Sequence, residues 1–560
     1  MTGYTVSLFV VEALRSIGVK RVYGLIGTSV LDFFDSLYDY RDRIRLVTVR
    51  HEQAAIAMAD AEYRASGNLA VAAVHAGPGF LNTLLGLGIA FKDKVPLLLV
   101  SGGVRRRFKG LDSLHEVDQV SIASPITKMS VRLSSGGELP HLLKELLRRA
   151  YARPRGPVML EVPEDLWLEP VDADPRDIKL SELLEPPRHP SRDEVLSVVK
   201  LMAKAERPLI MVCGEALNGP DKDVGKMVEE MAERLGAYIV TSGSARGACD
   251  EFNPRCLGRV GFGGGSLPAI GALEESDAVL VLGDELDDIA THGYTATPSR
   301  EIVVVSENPI VDKRPLRYTL KVNCDPSVFA KYMLEALRAE GIKTLKPSWD
   351  DVLTGYLSSW TSLVDEALSR KYVDFVNPSK FFKTLSERLP EKCVVTAGQG
   401  VHILYAYVFM KFRPPRKFLA ATRLGAMGYA FPAALGAKLA LPDYEVISIV
   451  GDGDFMMTVQ ELETAIRERI PVKVVIVNDM SYRVLLLRQK LQKGGRIIGT
   501  LLGSPPFEEL AKVFKAEGLT VTKDEDIDYA VKTVLESDKP FLLDLRISQE
   551  DVPPIGRPTY

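Results

Sequence analysis

Cysteine is rare in this chain, five residues in 560. Cys213, Cys249, Cys256, Cys324 and Cys393 are scattered and form no CxxC pair. That excludes a zinc ribbon or a disulfide-built scaffold and predicts reduced, structural thiols in a cytoplasmic protein. Long hydrophobic runs are missing too: charged residues interrupt every apolar stretch before the roughly 20 residues that a membrane-spanning helix needs. No N-terminal segment combines a basic start, an apolar run and a small-residue cleavage site. Neither sign of charge dominates, with 70 Lys and Arg against 74 Asp and Glu. A net charge of −4 gives no electrostatic reason to expect nucleic acid or an anionic membrane as partner. The basic run Arg105-Arg106-Arg107 reads as a solvated loop, with an anionic substrate tail as the alternative. Asn and Gln are scarce while Lys, Arg and Glu are plentiful, a bias seen in thermophilic sources.

What is present is a soluble, globular composition, 46% hydrophobic and 26% charged, in a chain too long for one core. Short β-branched runs alternate with helical patterns. Residues 45–49, 69–74 and 96–100 read as strands in the N-terminal third, with a helix following from Ala54. Further strands are expected at 208–213, 237–241, 278–282 and 302–305, and again at 393–396, 445–450, 472–477 and 541–546. Such near-continuous apolar strands suit parallel sheets covered on both faces. A Pro-, Asp- and Glu-rich stretch at 163–192 and a charged, pattern-poor stretch near 340–375 mark linkers. The expected fold class is α/β, with three domains at 1–165, 190–340 and 370–555, each a central parallel sheet flanked by helices. No strong sequence repeat relates them.

The most informative segment is 445–479. A buried strand ends at Gly451-Asp452-Gly453, an amphipathic helix is expected over about 455–468, and a second strand ends at Asn478. A right-handed crossover puts both strands in one sheet, so that Asp452 and Asn478 leave its carboxyl edge, where open α/β sheets bind ligands. One carboxylate, one amide oxygen, a backbone carbonyl and two phosphate oxygens suit octahedral Mg²⁺. The glycines let backbone approach phosphate. Gly-Asp-Gly alone is ordinary turn chemistry; the strand, helix, strand and Asn around it make it specific.

This segment resembles the cofactor motif of thiamine-diphosphate enzymes, most closely the acetolactate synthase/benzoylformate decarboxylase superfamily, and the resemblance extends over nearly the whole chain. It implies a thiamine-diphosphate-binding fold at both ends with a Rossmann-like middle domain, and thiamine diphosphate and Mg²⁺ as cofactors. Asp452, Asn478 and the Met480 carbonyl are the implied metal ligands. Where many relatives carry Ser or Ala, this chain has Asp454, which is assigned no diphosphate contact. Glu52, in Arg50-His51-Glu52-Gln53-Ala54-Ala55, resembles the glutamate that activates the pyrimidine ring; taken alone it would be a helix N-terminal acid. Arg423-Leu424-Gly425-Ala426-Met427-Gly428 resembles the loop beneath the cofactor, with Met427 the wedge between its rings and Gly425 the carbonyl acceptor. Gly398 and Gln399 resemble a diphosphate-contacting turn. In relatives the counterparts of Glu52 and the metal motif meet across a subunit interface, which implies a homodimer as minimum and a homotetramer as the expected assembly.

The substrate side divides the subfamilies. Gly283-Asp284-Glu285-Leu286-Asp287-Asp288 looks like the central domain of acetolactate synthases, but Glu285 and Ile289 stand where FAD-binding relatives have basic residues. Gly261-Phe262-Gly263-Gly264-Gly265 matches no full dinucleotide fingerprint. This region therefore reads as a structural remnant rather than an FAD site. His75 in Val74-His75-Ala76-Gly77-Pro78-Gly79 falls where benzoylformate decarboxylases place a proton-transferring histidine, and Thr28 falls where they carry a serine. His115 stands in place of a synthase glutamine, and His292 is a looser candidate. Val484 and Arg488 replace residues of the synthase acceptor pocket. An imidazole titrating near neutrality suits proton transfer.

The expected reaction is addition of the cofactor to a 2-oxo acid and loss of CO₂, then protonation to an aldehyde or capture of a second carbonyl. Within catalysis, the alternatives are a benzoylformate-type decarboxylase and a lyase of 2-hydroxyacyl-CoA or oxalyl-CoA type. Outside it, the alternative is a non-catalytic, cofactor-binding regulatory subunit.

Overall fold

In the computed structural model, which describes residues 3–298 and 300–556, three six-stranded sheets carry the chain, and every strand in them runs parallel to its neighbours. The first uses Arg21–Leu25, Arg45–Thr48, Ala70–Val74, Leu97–Gly103, Met129–Arg132 and Pro157–Pro163. Numbered along the chain, they lie in the order 2-1-3-4-6-5. Cys393–Ala397, Lys417–Ala420, Glu445–Gly451, Lys473–Asn478, Glu517–Val521 and Phe541–Arg546 form the third sheet in the same order. The two ends of the chain thus share a topology without sharing a sequence pattern. The middle sheet, Pro208–Val212, Tyr238–Thr241, Cys256–Arg259, Ala278–Leu282, Glu301–Val305 and Leu320–Val322, has the order 3-2-1-4-5-6 of a Rossmann-type domain. Central strands such as Ala70–Val74, Ala278–Leu282 and Cys393–Ala397 are buried along their whole length, which is why they read as unbroken apolar runs.

The first and third domains share one core. Helix Glu52–Ser66 lies against helix Ala430–Ala440, and both contribute small residues (Ala54, Ala55, Ala433, Ala434, Ala437) that let the backbones approach closely. At Gly436 the approach is so close that an added Cβ would lie 2.2 Å from the Met58 carbonyl oxygen. This contact fixes how the turn before Glu52 faces the third domain.

Two sequence expectations need correction. The stretch near 340–375 is not pattern-poor: helix Pro347–Ser369 spans most of it. It buries Trp349 and Leu353 in the middle domain and Ala367 in the third, so its many exposed polar residues mask an apolar seam at wide spacing. The single helix expected over 455–468 is two, Asp452–Phe455 and Glu461–Arg467. The break turns the second segment so that buried Glu461 accepts the Arg50 amide at 3.1 and 3.2 Å and the Thr464 hydroxyl at 2.7 Å. No helix among the described residues is long and apolar enough to cross a membrane.

Candidate active site

At the carboxyl edge of the third sheet, Gly451 pairs with Val477, so Asp452 and Asn478 follow paired positions on neighbouring strands. Asp452 is buried, and Ser504 Oγ donates to its Oδ2. Burial, with the Asp479 carboxylate nearby, pushes the Asp452 carboxyl up to about 6 against the lowering effect of the Ser504 hydrogen bond. Asn478 donates its Nδ2–H to Asp544 at 2.8 Å, which leaves Oδ1 as the accepting atom; the Met480 N–H reaches it at 3.3 Å. Met480 has a left-handed φ of 54°, and its carbonyl accepts the Leu502 N–H at 2.8 Å with one lone pair to spare. A costly buried carboxylate, an oriented amide oxygen and a backbone carbonyl form an oxygen donor set that fits a hard divalent cation. Among the described residues no group of three His, Cys, Asp or Glu offers another metal site.

Asp454, to which the sequence assigns no contact, is also buried and turned inward. Its Oδ1 accepts the Gly428 N–H, and its Oδ2 lies 3.4 Å from His402 Nε2. It therefore ties the 423–428 loop to the corner that carries Asp452, a link that a motif read one segment at a time does not reveal. The Oδ2 atom also occupies the space a Cβ would need at Gly398, 1.6 Å away, so any larger residue there would displace the Asp454 carboxylate. Gln399 donates from Nε2 to the Ala421 carbonyl at 3.3 Å, joining the 398–399 turn to the start of the same loop. In that loop Met427 is half-buried, and Gly425 is exposed with a φ of 71°.

The second cluster belongs to the first domain. Glu52 opens its helix with a buried carboxyl whose Oε2 accepts Asn82 Nδ2 at 2.9 Å. Asn82 was missed in the sequence because nothing local marks it. His75 and His115, 40 residues apart, are brought into direct contact, Nε2 to Nδ1, at 3.0 Å. Gly77, with a φ of 64°, permits this, since a Cβ there would lie 2.6 Å from the His115 carbonyl. His115 itself is held at a left-handed φ of 68°.

Ser29, not Thr28, is the hydroxyl that orients the pair. Ala76 N–H donates to Ser29 Oγ at 2.9 Å, and Ser29 Oγ lies 2.7 Å from His75 Nδ1, which Ser29 N–H also approaches at 3.3 Å. His75 Nδ1 is thus the acceptor, and the neutral ring carries its proton on Nε2, directed at His115. Burial, and then the His115 ring beside it, lower the His75 pKa below the usual histidine range. Thr28 is exposed at the start of the short helical turn Thr28–Val30.

The two clusters, and the domains that carry them, match known families in three stretches. Models of thiamine pyrophosphate enzymes cover residues 4–122 as the N-terminal TPP binding domain, 195–333 as the central domain and 398–545 as the C-terminal TPP binding domain. The chain belongs to the thiamine pyrophosphate enzymes. Within them it groups with the acetolactate synthases. It is 31% identical over 575 residues to the probable acetolactate synthase large subunit of Methanocaldococcus jannaschii, covering 98% of this chain and 94% of that one. It is 31% identical over 562 residues to the acetolactate synthase isozyme 2 large subunit of Escherichia coli, covering 98% and 97%. The large subunit from Corynebacterium glutamicum is 30% identical over 550 residues, covering 97% of this chain and 86% of that one.

In this thiamine pyrophosphate enzyme the remaining candidates lie apart from both clusters. Arg105 and Arg106 are held by Glu164 and Asp165, at 2.6 and 2.8 Å, so they are not free cations awaiting an anionic tail. His292 sits with the middle domain, its ring 6.0 Å from Phe262. A cavity of about 430 Å³ opens where the three domains meet, at the carboxyl ends of the middle strands. Both signs of charge line it, Glu215, Asp284 and Glu285 facing Lys94, Arg153 and Arg423. Asp284 binds Lys94 and Arg423, and Glu285 binds Arg423 at 2.8 Å.

Proposed function

We propose that this enzyme uses thiamine diphosphate and Mg²⁺ to decarboxylate a 2-oxo acid and join the remaining acyl unit to a second carbonyl, as an acetolactate-synthase-like carboligase. Similarity along the whole chain to acetolactate synthases supports the reaction class. The observation that supports the assignment of roles is the clustering of Glu52, Asn82, His75 and His115, which gathers proton-handling groups in one part of the first domain. Thiamine diphosphate, when bound, supplies the electron sink for the carbanion left by CO₂ loss. Asp452, Asn478 and the Met480 carbonyl hold the cation, Gly398 and Gln399 receive the diphosphate, and Met427 and Gly425 support the cofactor from below. Glu52 holds a proton toward the pyrimidine ring while Asn82 fixes its second oxygen. His75, neutral and oriented by Ser29, moves a substrate proton through His115. Glu285 and Ile289 stand where FAD-binding relatives have basic residues, and Asp284 and Glu285 are committed to Lys94 and Arg423; purified protein without bound flavin is the expected outcome. A homodimer, doubled to a tetramer, is the proposed active assembly, and the cytoplasm the proposed compartment.

A second reading rests on the His75–His115 pair: a proton source beside the reacting carbon favours release of an aldehyde, as in a benzoylformate-type decarboxylase. Product analysis by NMR with pyruvate and with benzoylformate, in the presence of both cofactors, distinguishes them. Acetolactate from pyruvate supports ligation and benzaldehyde from benzoylformate supports the second reading. Neither product, with cofactor bound, rejects both. With either substrate, Glu52→Gln is expected to keep the fold and lose turnover by at least about 10²-fold.

A further inference from the structure

The five cysteines read as isolated thiols in the sequence, but the fold brings two of them together. Cys249 is buried in the connection leaving the second strand of the middle sheet, and Cys256 begins the edge strand Cys256–Arg259. Their sulfurs lie 3.4 Å apart. The intervening loop is the joint between the middle and third domains. Glu251 donates its N–H to the Phe412 carbonyl at 2.9 Å and accepts the Phe412 N–H at 3.0 Å. Glu251 also holds Arg246, whose guanidinium donates to the carbonyls of Ala406, Tyr407 and Met410. The Phe252 ring at the loop tip lies under Lys411 and Arg413, at 5.3 and 5.2 Å.

We propose that Cys249 and Cys256 are a reversible dithiol–disulfide pair, a modification site whose oxidised form pins the loop by which the middle domain grips the third. The two sulfurs already touch, so small side-chain rotations bring them to bonding distance. Half-buried Cys256 is the sulfur that an external reagent reaches; Cys249, against it and shielded, is the resolving partner. The oxidant is a low-molecular-weight disulfide acting by exchange. The Cys256 thiolate attacks one sulfur of that disulfide, breaking its S–S bond and releasing one small thiolate. The Cys249 sulfur then displaces the second small thiolate, which takes up the Cys249 proton, as the Cys249–Cys256 bond forms. Two protein thiols are oxidised and one small disulfide is reduced to two thiols, so atoms and electrons balance. Excess dithiol reverses both steps.

Reduced, full-length protein incubated with oxidised glutathione provides the test. Thiol titration after denaturation is expected to fall from five free groups to three. The peptide spanning both residues should lose about 2 Da, recovered with dithiothreitol. Cys256→Ser should keep four thiols and show no such loss. Hydrogen exchange at the Glu251 and Phe412 amides should slow by about tenfold in the oxidised wild type. Five thiols remaining, a glutathione adduct that never resolves, or an equal loss in Cys256→Ser would overturn the pair. Exchange at Phe412 unchanged by oxidation would overturn the pinning of the joint.

Discussion

Glu461 carries a carboxyl that is fully buried and accepts the backbone amide two residues before Glu52. Burial pushes it up to about 7 from an ordinary 4.5. A carboxyl raised in the folded state stabilises the protein fully below its unfolded value, and that contribution is lost as pH rises through 7. The shift corresponds to about 3 kcal/mol, an upper figure for one group. Glu461→Gln resembles the protonated form and does not titrate. The urea midpoint of the wild type, relative to this variant, is therefore expected to fall as pH rises from about 4.5 to about 7. Parallel curves would show that the carboxyl does not titrate there. His115 makes a different prediction. It lowers the pKa of His75 by standing beside it, so His115→Gln keeps a neutral acceptor but removes the second ring. The acid limb of kcat/KM should move to higher pH, with the rate lower by about 10²-fold. An unmoved acid limb would leave His115 a packing residue.

Between elements, the contact that matters most to the site is that of helices Glu52–Ser66 and Ala430–Ala440. Alanine is a better helix former than glycine by about 1 kcal/mol, so helix propensity alone predicts that Gly436→Ala stabilises. The approach to Met58 reverses that sign, because the new methyl would lie 2.2 Å from a backbone oxygen that cannot swing away. A net loss of about 1–3 kcal/mol is expected, as for other overpacked cores, read as a lower urea midpoint. Turnover should fall with it if the helices set the Glu52 turn; a stabilised variant would mean that they separate freely. Elements of this kind were legible where burial is two-sided. Strands such as 278–282 and 541–546 appear at the positions their apolar runs give. Helix Pro347–Ser369 was not legible, because its buried positions, Trp349, Leu353 and Ala367, are spread over two domains. The break at 456–460 was equally hidden, since the contact it permits, Glu461 with the Arg50 amide, joins residues 411 positions apart. That Asp452 and Asn478 leave neighbouring strands side by side could be inferred from one βαβ segment. Ser29, Asn82 and Asp454 could not, since each acts through a partner on another segment.

Over the whole molecule, two sheets of identical strand order flank a Rossmann-type middle whose crevice is filled by charge. Lys94 comes from the first domain, Asp284 and Glu285 from the middle one, and Arg423 from the loop that leads to Met427. Asn308 and Ser244 complete the shell around the two carboxylates. Burial alone would raise the carboxyl of Asp284, yet Arg423 and then Lys94 hold it far below the ordinary range. A hub of this kind is a poor source of net stability compared with apolar packing, but removing one member strands the rest. Arg423→Met leaves Glu285 without its guanidinium and Asp284 with Lys94 alone, and a loss of about 3–5 kcal/mol is expected. The loss should be greatest at neutral pH and shrink as pH falls through the carboxylate range, because protonated carboxyls no longer need a cation. Asp284→Asn in the same background should recover part of the stability, since it removes a charge that Arg423 no longer meets. Calorimetric midpoints of the two single variants and the double variant, each across pH, provide the measurement. Strict additivity would mean that Arg423 and Asp284 are not coupled, and that Arg423 does not reach across to the middle domain to hold the 423–428 loop.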